Sequence, residues 1–400
     1  MAVILPDSVT GWERLDAYRS RGGYRGLARA LELDPETVAD WLLQADLRGR
    51  GGAGYPTGKK WQAVIRHAEA ERYLVVNGAE GEPGAFKDRR LMATAPHAVV
   101  EGLLIAAWAI RATAVLVYVN SDFQDAARAL GGALDEAVEA GWAGPGGRVK
   151  APVKLLLEPH VYIAGEETAL LNVLMGNPAQ PWHKPPYPTE KGLWGKPTVV
   201  NNVETLAAAA VILREGPEWF RARRPMLFSV SGDVRLPGVY EAPLGTRLAD
   251  LLERAGGPPP GERFQAVLPG GYSMPPLFAD QLGVPLDYDA LAALGTGLGA
   301  SIIAVATNRT LGQVAADILE FFARETCGKC PVCVKGTRVL ADQLGPARGG
   351  PLAEAAQREL LATAVKYRHK GICSFLDTAA HLAESLAPQV GPAAGVRLDA

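Results

Sequence analysis

Four cysteines are the tightest constraint this chain places on its own fold. Three of them, Cys327, Cys330 and Cys333, stand at two-residue gaps in ETCGKCPVC, and the fourth, Cys373, follows about forty residues later. Gaps of two let successive sulfurs converge on one small object. A C-x2-C-x2-C triplet closed by one remote thiolate is a way to hold a [4Fe–4S] cube. Structural zinc also takes four thiolates, more often as two C-x2-C pairs. Disulfides fit an even count, but four cysteines in 400 residues make no disulfide scaffold, and nothing marks the chain as secreted. The spacing favours iron and sulfide, with zinc as the rival. No thiol is left over, so the chain is built around one such site.

Hydrophobic residues make up 48% and charged residues 21% of the chain, an ordinary globular balance, and the length allows two or three domains. The formal net charge of −2 gives no broad electrostatic case for nucleic acid. MAVILPDSVTGWERLD lacks a basic stretch and a long apolar run, so no signal peptide is read there. The most apolar stretches are AVVEGLLIAAWAI, interrupted by Glu101, and LAAAAVIL, too short to span a bilayer. Both are expected to be buried helices. The expectation is a soluble, cytoplasmic protein that serves any membrane process by docking, without direct insertion.

Asp34-Pro35 opens a helix, a capping side chain followed by proline at the first helical position. After the glycine-dense RGRGGAGYPTGKKW, a second helix is expected from Trp61 to about Glu71. YLVVN reads as a buried strand, Pro96 to Ile110 as a helix, ATAVLVYVN as a strand, and Ser121 as the cap of a helix to about Ala140. VKLLLEPHVYIAGEETALLNVLMG gives a strand, a turn and a helix from near Glu166. PAQPWHKPPYPTEKGLWGKP is too irregular for either element and reads as an ordered loop or lid. TVVNNVETLAAAAVIL reads as a return to helix. Alternating strands and helices predict an α/β domain over 1–222. From 223 to 307 the texture changes to short strands (MLFSVSGDV, GVYEAP, AVLPGGYS, SIIAVA) with one helix, Arg247 to Ala255. This predicts a small α+β domain of β-grasp type. An all-helical domain is expected over 308–400. There Leu311 to Arg324 leads into the cysteine turn, a helix from about Leu352 to Tyr367 separates it from Cys373, and a loose tail starts near Pro388.

Gly49, Gly51 and Gly54 satisfy G-x-G-x-x-G, with Gly52 between them. A helix pattern precedes the loop where the Rossmann fingerprint needs a strand, so a standard Rossmann fold is rejected. The glycines still let backbone N–H groups approach a flat ring or a phosphate, with Arg50, Lys59 and Lys60 beside them. A flexible surface loop is the bland alternative. Glu80, Glu82 and Asp88 follow a strand, where α/β folds place ligand loops. Glu166 and Glu167 follow Gly165 at a helix start. Capping and solvation would explain each set in isolation. Together with Asn201 and Asn202 they suit a nucleotide with a polar ring. The six histidines are scattered and offer no close pair for a metal.

Read together, RGRGGAGYPTGKKW, NGAEGEPGAFKDR, YIAGEETALLN, KPPYPTEKGLWGKPTVVNNVETLA and the cysteine set resemble the NADH-binding flavoprotein subunit of respiratory complex I. The same resemblance extends to the diaphorase subunits of NAD-linked hydrogenases and formate dehydrogenases. It covers nearly the whole chain in order. It implies a non-standard, Rossmann-like flavin and NADH domain, then a β-grasp domain, then a helical domain with one [4Fe–4S] cluster. It implies FMN contacts from Gly49, Gly51, Lys60, Asn77, Glu80, Gly165, Glu166, Asn201 and Asn202, with Gly52 and Gly54 in the same loop. Glu82 and Glu167 are placed near the nicotinamide nucleotide, Tyr55 against its adenine, and Lys184 and Tyr187 round the same pocket. The chain departs from the family at Ala63, where a second aromatic is usual, at Ala79 for Asp and at Ala164 for Cys. It also has Ser374 after the last cysteine where Pro is usual.

The implied activity is NADH:acceptor oxidoreduction, with Glu82, Glu167 and Lys60 as the residues nearest the chemistry. Quinone is expected as the final acceptor, through a complex I-like assembly. With every thiol committed, electrons must leave to another polypeptide. By resemblance the partners are a [2Fe–2S] thioredoxin-like subunit and a multi-cluster iron–sulfur subunit, which would hold this chain at the cytoplasmic side of a membrane. A non-catalytic electron-transfer or scaffold paralogue, and a hydrogenase or formate dehydrogenase diaphorase, are the alternatives.

Overall fold

The computed structural model describes residues 3–5, 14–299 and 301–391. Most of the expected tail, from residue 392 on, and residues 6–13 of the N-terminal stretch lie outside them. Four strands build the first sheet: β1 (Tyr73–Gly78), β2 (Ala114–Asn120), β3 (Val153–Glu158) and β4 (Thr198–Asn202). All pairings are parallel, in the order β3-β2-β1-β4. β1 and β2 are almost wholly buried, as their runs of Val, Leu and Tyr require of a parallel sheet covered on both faces. The chain winds outward from β1 to β3 and then returns to β4 on the other side of β1. That reversal makes a switch point between β1 and β4, and ligands of open α/β sheets bind beyond the strand ends at such points.

Helices Pro96–Ala109 and Val203–Glu215 cover one face of this sheet and are buried along nearly their whole length. They approach closely at Gly102, where a Cβ would stand 2.0 Å from the Leu206 carbonyl oxygen. Among the described residues no single helix is long and apolar enough to cross a membrane. Lys87–Thr94 and Pro96–Ala109 pass that test only when joined across a 97° bend.

The second sheet holds β5 (Pro225–Gly232), β6 (Gly238–Pro243), β7 (Phe264–Tyr272), β8 (Leu277–Phe278) and β9 (Ser301–Ala306) in the order β6-β5-β9-β7-β8. Only β5 and β9 run parallel. Helix Leu248–Arg254 packs its leucines into the core of this sheet. The last part is helical: Leu311–Arg324, Pro331–Leu344, Glu354–Tyr367 and Phe375–Leu386 share one apolar core.

The structure corrects several sequence expectations. The helix expected over Trp61–Glu71 is Thr57–Ile65. Pro56, with ψ 116°, stands just before it and outside the helix. The helix lies so close to its neighbour that a Cβ on Gly58 would sit 2.5 Å from the Ala39 carbonyl oxygen. It stops because the His67 and Glu69 carbonyls turn to accept from the Arg72 guanidinium. Thr198–Asn202 is β4 and not the start of a helix; its β-branched residues pair along β1. Ser121 caps nothing: the helix starts at Gln124, and the Ser121 N–H donates to the Glu158 carbonyl. The proline-rich segment contains the short helix Pro188–Lys191 and a 3-10 turn, Leu193–Gly195. Helix Tyr288–Ala292 and strand β8 were not expected, and Cys333 lies in a helix, Pro331–Leu344, rather than in the turn itself.

Candidate functional site

A cavity of about 700 Å³ opens beyond the ends of β1 and β4, within the range of small-molecule sites. The glycine loop forms one wall. Its Gly49 N–H donates to the Tyr55 carbonyl (2.9 Å) and its Arg50 N–H to the Thr205 hydroxyl (2.9 Å). Gly52 has φ +121°, and a Cβ on Gly52 or on Gly165 would meet nothing within 4 Å. Both glycines line the cavity, so side chains there would take up space a flat ligand could use. Tyr55 stands at the mouth, 53% exposed.

The strand ends supply amides. Asn77 donates to the Gly165 carbonyl (3.2 Å). Asn201 accepts from the Trp61 indole N–H (2.7 Å). The side-chain oxygen of Asn202 caps helix Val203–Glu215, while its amide nitrogen donates to Asp88 (2.6 Å). Behind them Lys87, wholly buried, lies 2.5 Å from Asp88 and 2.8 Å from Glu204. Burial opposes that cation, but Asp88, Glu204 and Glu80 outweigh the penalty and raise its pKa. Arg50 is also buried, and its Nε and Nη1 have no hydrogen-bond partner among the described residues. Its Nη2 donates to the Pro225 carbonyl (3.2 Å). A buried cation with unspent donors beside a cavity suits an anionic ligand.

The carboxylates are all engaged. Glu80, at φ +34°, accepts from the Asp88 and Arg89 backbone N–H groups (2.7 and 3.1 Å) and so caps helix Lys87–Thr94. Burial, then Asp88, pushes its carboxyl up to about 8. Glu166 caps helix Glu167–Leu174 through Thr168 and Ala169. Glu167 pairs with Lys60 (3.0 Å) and Lys184 (2.8 Å), and Lys184 also reaches Glu166 (2.9 Å). Burial alone would raise the Glu167 carboxyl; Lys60 and Lys184 outweigh it and hold it below its ordinary value. Glu82 accepts from Tyr162 and Ser273.

The structure thus gathers Gly49, Gly51, Gly52, Gly54, Tyr55, Lys60, Asn77, Glu80, Glu82, Gly165, Glu166, Glu167, Asn201 and Asn202 round one cavity. Lys184 reaches its wall only through Glu166 and Glu167. Tyr187 is not in the lining and is 52% exposed. Ala63 is exposed, while Ala79 and Ala164 are buried. Sequence reasoning missed Tyr162 and Lys87 in the lining and Glu204 behind Lys87, and missed Ser273, Met274 and Thr296 from the second sheet's loops. No local pattern marks those three; only the tertiary fold brings them in.

All four cysteines line a second, small cavity. Gly328, at φ +75°, turns the chain between Cys327 and Cys330, and Cys330 begins helix Pro331–Leu344. Cys373 arrives just before helix Phe375–Leu386. Burial, then the neighbouring Cys373, Cys327 and Cys330, pushes the Cys333 thiol up to about 12. A single zinc would draw the sulfurs to about 2.3 Å from one point. Four thiols set round one small cavity suit a thiolate-held metal centre, and the triplet-plus-one spacing is that of a [4Fe–4S] cube. Ile163, Cys373 and Phe375 line both cavities, so the two sites share a wall.

The same segments match family models. Residues 42–211 match the Nuo51 FMN-binding domain, 227–277 the SLBB domain, and 313–390 the NADH-ubiquinone oxidoreductase-F iron–sulfur binding region. The F 2 subunit of the NADH-quinone oxidoreductase of Rhizobium meliloti (strain 1021) is 43% identical over 335 residues, covering 80% of this chain and 79% of that one. The corresponding F subunit of Streptomyces coelicolor (strain ATCC BAA-471 / A3(2) / M145) is 40% identical over 377 residues, covering 92% and 84%. Among solved structures, an NAD+-reducing [NiFe]-hydrogenase in the H2-reduced state superposes with a TM-score of 0.81 at 34% identity. That match covers 91% of this chain and 64% of the hydrogenase chain. The chain belongs to the family formed by the F subunits of NADH-quinone oxidoreductases.

Proposed function

We propose that this chain is the flavoprotein subunit of an NADH:acceptor oxidoreductase, with FMN in the larger cavity and a [4Fe–4S] cluster among the four cysteines. The wall shared by the two cavities at Ile163, Cys373 and Phe375 carries the reading. FMN, when bound, supplies the exchange between two-electron hydride chemistry and one-electron transfer. The chain's own residues bind and orient. The glycine loop offers backbone N–H groups and Arg50 positive charge. Asn77, Asn201 and Asn202 offer amide donors and acceptors at the strand ends. Lys60, 3.0 Å from Glu167, is a fixed cation for negative charge that develops on a reduced ring. Glu82 and Glu167 are the acceptors for the N–H and hydroxyl groups of NADH, with Tyr55 and Lys184 at the mouth. Cys327, Cys330, Cys333 and Cys373 hold the cluster.

In this reading residues 1–222 form the flavin and nucleotide domain, 223–307 a β-grasp domain and 308–400 the cluster domain. The exposed cysteine turn, Gly328, Lys329 and Pro331, is the exit for electrons. The partners are a [2Fe–2S] thioredoxin-like subunit and a multi-cluster subunit, with the assembly peripheral on the cytoplasmic side of a membrane. The solved relative named an NAD+-reducing [NiFe]-hydrogenase favours a second reading of the acceptor, in which the same module exchanges electrons with a hydrogenase. An anaerobic cuvette tests the core of the proposal. NADH should bleach the flavin absorbance of the reconstituted chain, with about four iron atoms per chain. A colourless product, or one zinc per chain, would overturn it.

A further inference from the structure

Glu82 differs from the other carboxylates round the flavin cavity in what holds it. Glu80 caps a helix, and Glu166 and Glu167 pair with lysines. Among the described residues Glu82 pairs with no cation. Its Oε1 accepts from the Ser273 backbone N–H (3.0 Å), and its Oε2 from the Ser273 hydroxyl (2.6 Å) and the Tyr162 hydroxyl (2.9 Å). The two hydroxyl oxygens are 3.0 Å apart. Ser273 lies 191 residues away in sequence, in the turn after β7 of the second sheet.

The end of β7 and the turn after it are shaped round the carboxylate. Gly271 has φ +64°, and a Cβ there would come within 2.5 Å of Glu82 Oε1. No other residue type would leave room without moving Glu82. Tyr162 is fixed in turn: its ring meets Phe321 and Phe375 edge-on, at 4.9 and 5.9 Å between centroids. Burial pushes the Glu82 carboxyl up, and the bonds from Ser273 and Tyr162 pull it back. The donors therefore serve the charged form. Short bonds to an ionised acceptor are the strong ones, and three of them confine a side chain that would otherwise sample many rotamers.

We infer that Ser273 is a positioning residue: it fixes the Glu82 carboxylate in the cavity, which makes the second domain part of the nucleotide site. The contact itself is independent of any ligand. Its consequence for NADH rests on the function proposed above. A fixed carboxylate presents its remaining lone pairs to donors on a bound nucleotide at no further ordering cost. One that swings free must be ordered each time the ligand binds.

Ser273→Ala, Ser273→Thr and Glu82→Gln in the FMN-loaded full chain test this. Ser273→Ala is expected to raise the NADH concentration for half-maximal flavin bleaching about tenfold, with the limiting rate changed less than about threefold. Ser273→Thr, which keeps the hydroxyl, should restore the parent value. FMN affinity, read by flavin fluorescence, should be unchanged in both. Combining Ser273→Ala with Glu82→Gln should add little to Glu82→Gln alone, because both remove one contact. Additive effects, parent-like behaviour of Ser273→Ala, or a failure of Thr to rescue would overturn the inference. If the parent binds no flavin, the proposed function fails while the contact is still tested. Ser273→Ala should then lose amide exchange protection at residues 80–82 and 271–274 of the chain without flavin, and unchanged protection would sink the contact as well.

Discussion

The two cavities share a wall and are built on opposite plans. The cysteine cavity draws its four ligands from one helical unit, within 47 residues from Cys327 to Cys373. They are alike, they are the only thiols in the chain, and their sole requirement is convergence. The flavin cavity is assembled from the glycine loop, two strand ends, the acidic loop, the segment Tyr162–Glu167, the second sheet's loops and the start of the last helix. Nearly every charged group in it already has a partner in the fold. The first site waits for a core that its thiols cannot replace. The second is organised before anything binds, so its ligand meets fixed dipoles and charges. The difference teaches where each site is vulnerable: the cysteine site to loss of any one ligand, the flavin site to loss of space or of fixation.

Cys373→Ser gives the largest expected effect. Iron should fall from about four atoms per chain to near none, because a cube needs its fourth corner. Flavin fluorescence titration should be nearly unchanged, since the serine keeps the shared wall in place. Loss of flavin together with iron would break the comparison and make the two cavities one cooperative site.

Next comes Gly165→Phe. Its Cβ would meet nothing within 4 Å, and its φ lies outside the left-handed region, so the backbone can accept the change. The ring would then stand in the flavin cavity. FMN affinity should fall more than about a hundredfold, since a blocked pocket loses contact area and hydrogen bonds together. Iron content should stay at the parent level. An unaltered FMN titration would show that Gly165 does not face the ligand.

The same contrast explains how much could be read beforehand. The cysteine ligands follow from spacing, which is a property of neighbours in sequence. Leu311–Arg324 was placed to the residue, because its Thr310 cap and apolar face are both local. Thr198–Asn202 reads as helix because a five-residue strand with two valines and two asparagines, running straight into a helix, has no period of its own; only pairing with β1 makes it a strand. The glycine loop and the acidic loop were legible as unusual strings, and Asn77, Asn201 and Asn202 converge because the switch point lies between their strands. Ser273 was not legible at all. Its role depends on a turn from another sheet meeting Glu82, and nothing within ten residues of either announces it. Lys87 and Glu204 were hidden for the same reason: each reads as an ordinary helix-surface charge until burial pairs them.

Lys60→Ala sharpens the comparison at smaller scale. Lys60 also donates to the Val200 carbonyl (3.2 Å), so it is a fixed cation tied to the middle of β4. Flavin reduction by NADH should slow about tenfold, less than for a dedicated oxyanion donor, because part of its charge is already spent on Glu167. Stopped-flow reduction at the parent rate would remove Lys60 from the chemistry.

The smallest effect is a dependence on acid. Lys60 and Lys184 hold the Glu167 carboxyl below its ordinary value of 4.5 in the folded chain. A carboxyl with a depressed folded value contributes stability at pH above the unfolded value, and that contribution is lost as pH falls through the folded one. The lost contribution should be about 1 kcal/mol or less for a partly exposed pair. It should appear as a fall in melting temperature of the cofactor-free chain as the pH drops below about 4.5. In Glu167→Gln this part of the slope should vanish, since the amide does not titrate. The cysteine side should add nothing to it: the Cys333 thiol, pushed up to about 12 by burial and by the other cysteines, is already protonated across that range. If Glu167→Gln keeps the full acid slope, the lysines are not holding the carboxylate. The charges round the flavin cavity would then be less fixed than the thiols beside them.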